Sequence, residues 1–192
     1  MLMLVPTVAY AYDIGTKPYL PWDLDAEKTI YVYVRSDSEI SQNKQAIISD
    51  VILSKHQIVV NDKIYFQGWQ GALDHIAYSD DVSIQLVFTE YFRPNSILIN
   101  LKDTQSKYDG YTNFALKHNK IIQSYVTIYD SQNLKDAEFE KILRHEMGHG
   151  LGLAHSESIN DIMYPVLTMS NPYISNNYIT FDNVSALNML YS

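Results

Sequence analysis

Between His145 and His155 the chain reads HEMGHGLGLAH, with three histidines spaced four and then six residues apart. His145 and His149 stand four residues apart. On a helix that spacing sets both imidazoles on one face, where two ring nitrogens can converge on a single ion. Glu146 follows the first histidine and points about 100° around the same helix, out of the ligand pair but within reach of a water on the ion. A third ligand in the same plane requires the chain to leave the helix and turn back, and a residue without Cβ turns most cheaply. Gly152 is placed for that turn and His155 for the ligand. Three neutral imidazoles leave a tetrahedral zinc with one open position, the arrangement of a catalytic rather than a closed structural site. A carboxylate beside that position can take a proton from the water and later deliver it to a leaving amine. The competing reading is a fortuitous spacing on a solvated helix.

HExxHxxGxxH, together with DIMYP at 161–165, resembles the zinc-binding consensus and Met-turn of the metzincin metallopeptidases. LGLAHS followed by IMYP narrows the resemblance to the matrixins, the matrix-metalloprotease-like branch. The resemblance implies one catalytic Zn2+ on His145, His149 and His155, with Glu146 as general base and then acid and Met163 as an apolar floor beneath the ion. It implies an α+β metzincin fold: a twisted mixed five-stranded sheet with two long helices, then a smaller C-terminal lobe with one helix. It also implies that residues 110–116 form the sheet's edge strand. There Tyr111, Thr112, Asn113 and Phe114 would hold an extended peptide by strand addition. Pro165 and Val166 would begin the wall of the pocket for the side chain after the scissile bond.

This sequence departs from the family pattern at several points. Tyr164 directly follows Met163, one residue before the tyrosine that approaches zinc in some metzincins, so it is not assigned to the metal. The family's Pro-x-Tyr is here Pro165-Val166-Leu167. Structural calcium or a second zinc is not expected, because only His118 stands near the relevant segment and acidic ligands there are sparse. Two adjacent aspartates of the family's last helix are Asp182 and Asn183 here, so any tie from Asn183 to the Met-turn must come from an amide. Many animal matrixins are kept latent by a propeptide cysteine; this chain has no cysteine. Asp13 or Asp23 is the alternative cap on the metal.

The elements that must position these groups follow from pattern. Residues 29–35, TIYVYVR, alternate aromatic and β-branched side chains and predict a first strand. Ser38 is placed to cap a helix over 39–55 with Ile40, Ile47, Val51 and Ile52 as its apolar stripe. Residues 57–60 with 64–67, then 82–89 and 96–101, read as strands, with a glycine turn at Gly68 and Gly71. After the edge strand comes another over 121–129. The helix carrying the histidines is predicted to begin at Ser131 or Asn133, to bury Ala137, Phe139, Ile142, Leu143 and Met147, and to expose Arg144. Thr180 is placed to cap the last helix.

Length and composition bound the rest. A chain of 192 residues is one domain, or two small lobes sharing a cleft, with enough length for a real core. A net charge of −8 with 14 basic residues argues against a nucleic-acid surface. The 16 tyrosines suit a sheet-rich protein. Residues 1–11 are apolar, too short to span a bilayer, and end in Ala9-Tyr10-Ala11 like the approach to a signal-peptidase cut. They are expected to be a signal-peptide remnant, with 12–28 an extended segment and 29–192 the catalytic domain. Within that domain an upper lobe would run to about 151 and a lower lobe over 152–192.

The expected activity is zinc-dependent hydrolysis of internal bonds in extended protein or peptide substrates by a secreted monomer. No transmembrane span or nucleic-acid partner is expected. The alternatives are a zinc-binding interaction module without proteolysis, or a zincin acting on small peptides or cell-wall fragments. Intact Glu146 speaks against the first, since a structural site needs no carboxylate that is not a ligand.

Overall fold

Alternation in TIYVYVRS sends Ile30, Val32 and Val34 to one face of a strand, and all three are fully buried. The computed structural model describes residues 8–10, 20–24, 28–76, 82–168 and 177–191. Its elements run β1 (Val8–Tyr10), β2 (Thr29–Ser36), α1 (Gln42–Leu53), β3 (Gln57–Val60), β4 (Lys63–Phe66), α2 (Trp69–Leu73), β5 (Ser83–Phe88), β6 (Ser96–Leu101), β7 (Gly110–Lys117), β8 (Lys120–Ile128), α3 (Asp136–Gly150), β9 (Val166–Thr168) and α4 (Phe181–Tyr191). The chain is α+β, with a mixed five-stranded sheet in the order β5-β2-β6-β8-β7. Within this sheet β7 alone runs antiparallel to its neighbour, and it forms one edge, with β5 at the other. The other two sheets are pairs, β1 with β9 and β3 with β4.

The core lies between this sheet and helices α1 and α3, which also pack on each other. Ile48, Val51 and Ile52 of α1 meet Phe139, Ile142 and Leu143 of α3 over the apolar face of β2, β6 and β8. Each such buried side chain contributes about 1.5–3 kcal/mol relative to exposure. Two tight turns use left-handed backbone at both central residues, Asn61-Asp62 and His118-Asn119, as two-residue hairpins of this twist require. His118 is therefore a turn residue.

Several expectations are corrected. Helix α1 begins later than expected, capped by Ser41, whose hydroxyl accepts from Lys44 N at 3.3 Å; Ser38 instead bonds Asp103. Gly68 and Gly71 are not a turn between sheet strands. They open and line α2, because a Cβ at Gly68 would lie 2.5 Å from Asp50 O. Close approach to α1, not a bend, requires that glycine. β3 and β4 form a separate hairpin, joined to the C-terminal segment by reciprocal backbone bonds between Phe66 and Ile179 at 2.9 and 3.1 Å. The start of α3 is at Lys135, where Glu138 reaches back to the backbone N–H at 3.2 Å, so neither Ser131 nor Asn133 caps it. Ala137, in the first turn, is exposed.

Arg144 was expected in solvent and is 1% exposed. Its guanidinium donates to Gln67 O at 3.0 Å, Asn177 O at 2.5 Å and Glu140 at 2.6 Å, and stacks on Tyr178. Three donors in a fixed fork can satisfy carbonyls that helical periodicity does not reveal. The backbone O of Arg144 also accepts from Trp69 Nε1 at 3.0 Å. The residue before the first histidine thus ties α3 to α2, β4 and the chain entering α4.

Candidate metal centre and active site

Helix α3 carries His145, Glu146 and His149, which are 0%, 1% and 3% exposed. A carbonyl can only accept, so the bonds from His145 Nδ1 to Ile162 O (2.7 Å) and His149 Nδ1 to Leu153 O (2.8 Å) put the ring proton on Nδ1 in both. Both Nε2 atoms are then bare lone pairs, yet they face each other at 3.1 Å. Two lone pairs so close repel unless a cation lies between them. His155 brings a third nitrogen, and the three ligand atoms lie within 4.8 Å of one another. Burial, with the neighbouring His155 ring second, pushes the His149 pKa down to about 3. Burial also drives His145 well below its ordinary value, so the pair is neutral near pH 7 and fit to ligate. The donor set suits zinc.

Gly152 makes the turn that delivers His155, with φ +100°. A Cβ there would also sit 2.0 Å from Leu20 O, and Leu20 N donates to Gly152 O at 3.1 Å. The incoming segment is pinned nearby by Trp22, whose indole donates to Gly150 O at 2.9 Å. Asp23 pairs with Lys120 at 3.4 Å on the surface; Asp13 lies outside the described residues.

Met163 is buried against α3. A Cβ on Gly148, the residue just before the second histidine, would lie 2.3 Å from Met163 Sδ and 2.9 Å from Trp69 Cζ2. The glycine inside the motif is therefore the seat of the methionine. Gly148→Ala is expected to lower stability by about 1–3 kcal/mol through overpacking, and to weaken metal binding, as read by thermal melts with and without added zinc.

The tie between the last helix and the Met-turn is present, with its chemistry changed. Asn183 Nδ2 donates to Asp161 Oδ1 and Oδ2 at 3.0 and 3.2 Å, and Asp161 Oδ1 accepts from Met163 N at 2.7 Å. Asp161 and Asn183 are both buried. Thr180 caps α4 as expected, its hydroxyl accepting from Asn183 N at 3.4 Å while Asn183 Oδ1 accepts from Thr180 N at 2.8 Å. Asn183→Leu takes both amide donations from a buried carboxylate, so it is expected to lower unfolding stability by about 1–3 kcal/mol, measurable by urea denaturation.

Glu146 is boxed in by the edge strand. Its Oε2 accepts from the Thr112 hydroxyl at 2.7 Å, and its Oε1 is buried without a partner. A Cβ on Gly110 would lie 2.6 Å from that Oε1. Burial raises the carboxyl pKa to about 8, opposed in part by the Thr112 hydroxyl. Thr112 lies on the expected edge strand, and its side chain points inward at Glu146. Alternation puts Tyr111 and exposed Asn113 on the other face of β7, while Phe114 packs on the core. Half-buried Pro165 and Val166 lead into β9, where Val166 pairs with Tyr10. His145, Glu146, His149, His155 and Met163 are thus assembled around one helix end, and Thr112 joins them by a route the sequence reading did not foresee.

The chain has counterparts among known proteins. The family model of matrixins matches residues 42–192. A stretch of 61 residues is 33% identical to interstitial collagenase from Bos taurus, covering 32% of this chain and 12% of that protein. The likeness to the collagenase spans only a small part of the latter's length. With the family match extending from α1 through α4, the chain belongs to the matrixin family.

Proposed function

We propose that this matrixin is a zinc-dependent endopeptidase, with His145, His149 and His155 holding the ion and Glu146 moving the proton. The observation that carries the reading is the pair of bare Nε2 lone pairs at 3.1 Å, beside a carboxylate oxygen buried without a partner. Zinc, when bound, supplies Lewis acidity toward a carbonyl oxygen and lowers the pKa of water. Glu146 then accepts a proton at Oε1 as water attacks the peptide carbon, and returns it to the departing amine. Met163 supports the ligand plane from below.

The outer edge of β7 is the surface on which an extended peptide would add as a further strand, held by backbone bonds. Residues 29–192 form the catalytic unit in this reading, and it acts outside the cell. Among the described residues no helix is long and apolar enough to cross a membrane.

The test uses the full chain with gelatin and, separately, with short tripeptides, and maps products by mass spectrometry. Internal cuts in gelatin, stopped by a chelator and restored by zinc, are expected. Hydrolysis confined to tripeptides would overturn the endopeptidase reading.

A further inference from the structure

The assignment of Glu146 leaves open what fixes its carboxylate, because the terminal torsion of a glutamate is broad and nearly two-fold. A carboxylate free to rotate would offer either oxygen in many directions. Only one direction can meet an attacking water in line with the scissile carbon. The edge strand supplies the missing constraint. Thr112 lies on β7 and is 1% exposed, and its single hydroxyl proton goes to Glu146 Oε2 at 2.7 Å, closer than the 3.2 Å to Glu146 O. Gly110, two residues earlier on the same face, leaves the space that Oε1 and Cγ of Glu146 fill. Oε1 is thereby the carboxylate oxygen with no partner.

We infer that Thr112 is a positioning residue for the reaction: it locks Oε2 of Glu146, so that Oε1 alone is presented as the proton acceptor. The inference rests on the reading of Glu146 given above. It also joins two functions in one strand. The backbone edge of β7 is where the substrate would pair, while its inward side chains hold the base, so substrate and base share one rigid reference.

The test compares Thr112→Val and Thr112→Ser with the parent chain in steady-state cleavage of a quenched peptide that the parent cleaves. Zinc content and melting temperature are measured on each sample, and Glu146→Gln is run in parallel. Valine keeps the β-branch and removes the hydroxyl; serine keeps the hydroxyl. The valine variant is expected to lose roughly 10- to 100-fold in kcat, with KM within about twofold and zinc unchanged. The serine variant should recover most of the loss. An unchanged kcat in Thr112→Val overturns the inference, as does a loss carried by KM, which would place Thr112 on the substrate. Equal damage from valine and serine would reduce its role to packing and overturn it too. Should Glu146→Gln keep parental turnover, the reading of Glu146 itself fails, an outcome distinct from any result at Thr112. In the Glu146→Gln background, Thr112→Val should cause no further loss, since the group it positions is gone.

Discussion

Glu146→Gln is expected to lower kcat by about 10²- to 10⁴-fold while leaving zinc content unchanged. Glutamine has the same shape, and its amide oxygen can still accept from Thr112, so the box made by Gly110, Ile142 and Thr112 remains filled. What is lost is the carboxylate's ability to hold a proton in transit. Stability gives a second readout. Burial raises this carboxyl from 4.5 to about 8, so in the metal-free chain the native state keeps a proton that the unfolded chain has released. A group of that sign destabilises as pH rises from 4.5 towards 8. Glutamine carries no such charge, so its metal-free form should gain stability over the parent as pH rises through that window. Chemical denaturation at pH 5 and pH 8 reads the difference.

His149→Ala should remove both metal and activity, beyond the roughly 10- to 100-fold that outer-shell changes cost. The bare Nε2 lone pairs of His149 and His145 face each other at 3.1 Å, and each ring is oriented by a backbone carbonyl from the chain that follows α3. An ion held by His145, His149 and His155 would therefore join α3 to the segment that carries His155 as well as serving chemistry. An ion present at 1,000 times its dissociation constant stabilises by about 4 kcal/mol. For a chain of this size that is a melting shift on the order of 10 °C. Adding zinc to the chelated parent should give such a shift, and adding it to His149→Ala should not. A variant that still binds stoichiometric zinc would remove His149 from the ligand set.

Sequence and structure agree where local pattern dictates the outcome. Helical periodicity sets His145 beside His149, the glycine turn sets His155, and alternation sets β2. They part where a side chain's role depends on contacts distant in sequence. Arg144 looked like a surface residue of α3 because nothing local foretells carbonyls from Gln67 and Asn177. Thr112 belonged to the right strand, but its face could be chosen only once α3 was known to lie across it. Gly68 and Gly71 carried a turn signal, whereas the need was for two backbones to approach. The tie from Asn183 to the Met-turn was legible from the resemblance, but its acceptor, the Asp161 carboxylate, needed the structure. Gly148 could have been read sooner: a residue without Cβ inside a buried helix usually makes room for something, and here it is Met163.

The most direct measurement is zinc stoichiometry and gelatin cleavage in one preparation of the full chain, before chelation, after it, and after zinc is returned. The account predicts about one zinc per chain, cleavage that disappears with the metal, and recovery of both together. Full cleavage by zinc-free protein, or stoichiometric zinc with no cleavage of an unfolded protein, would contradict it.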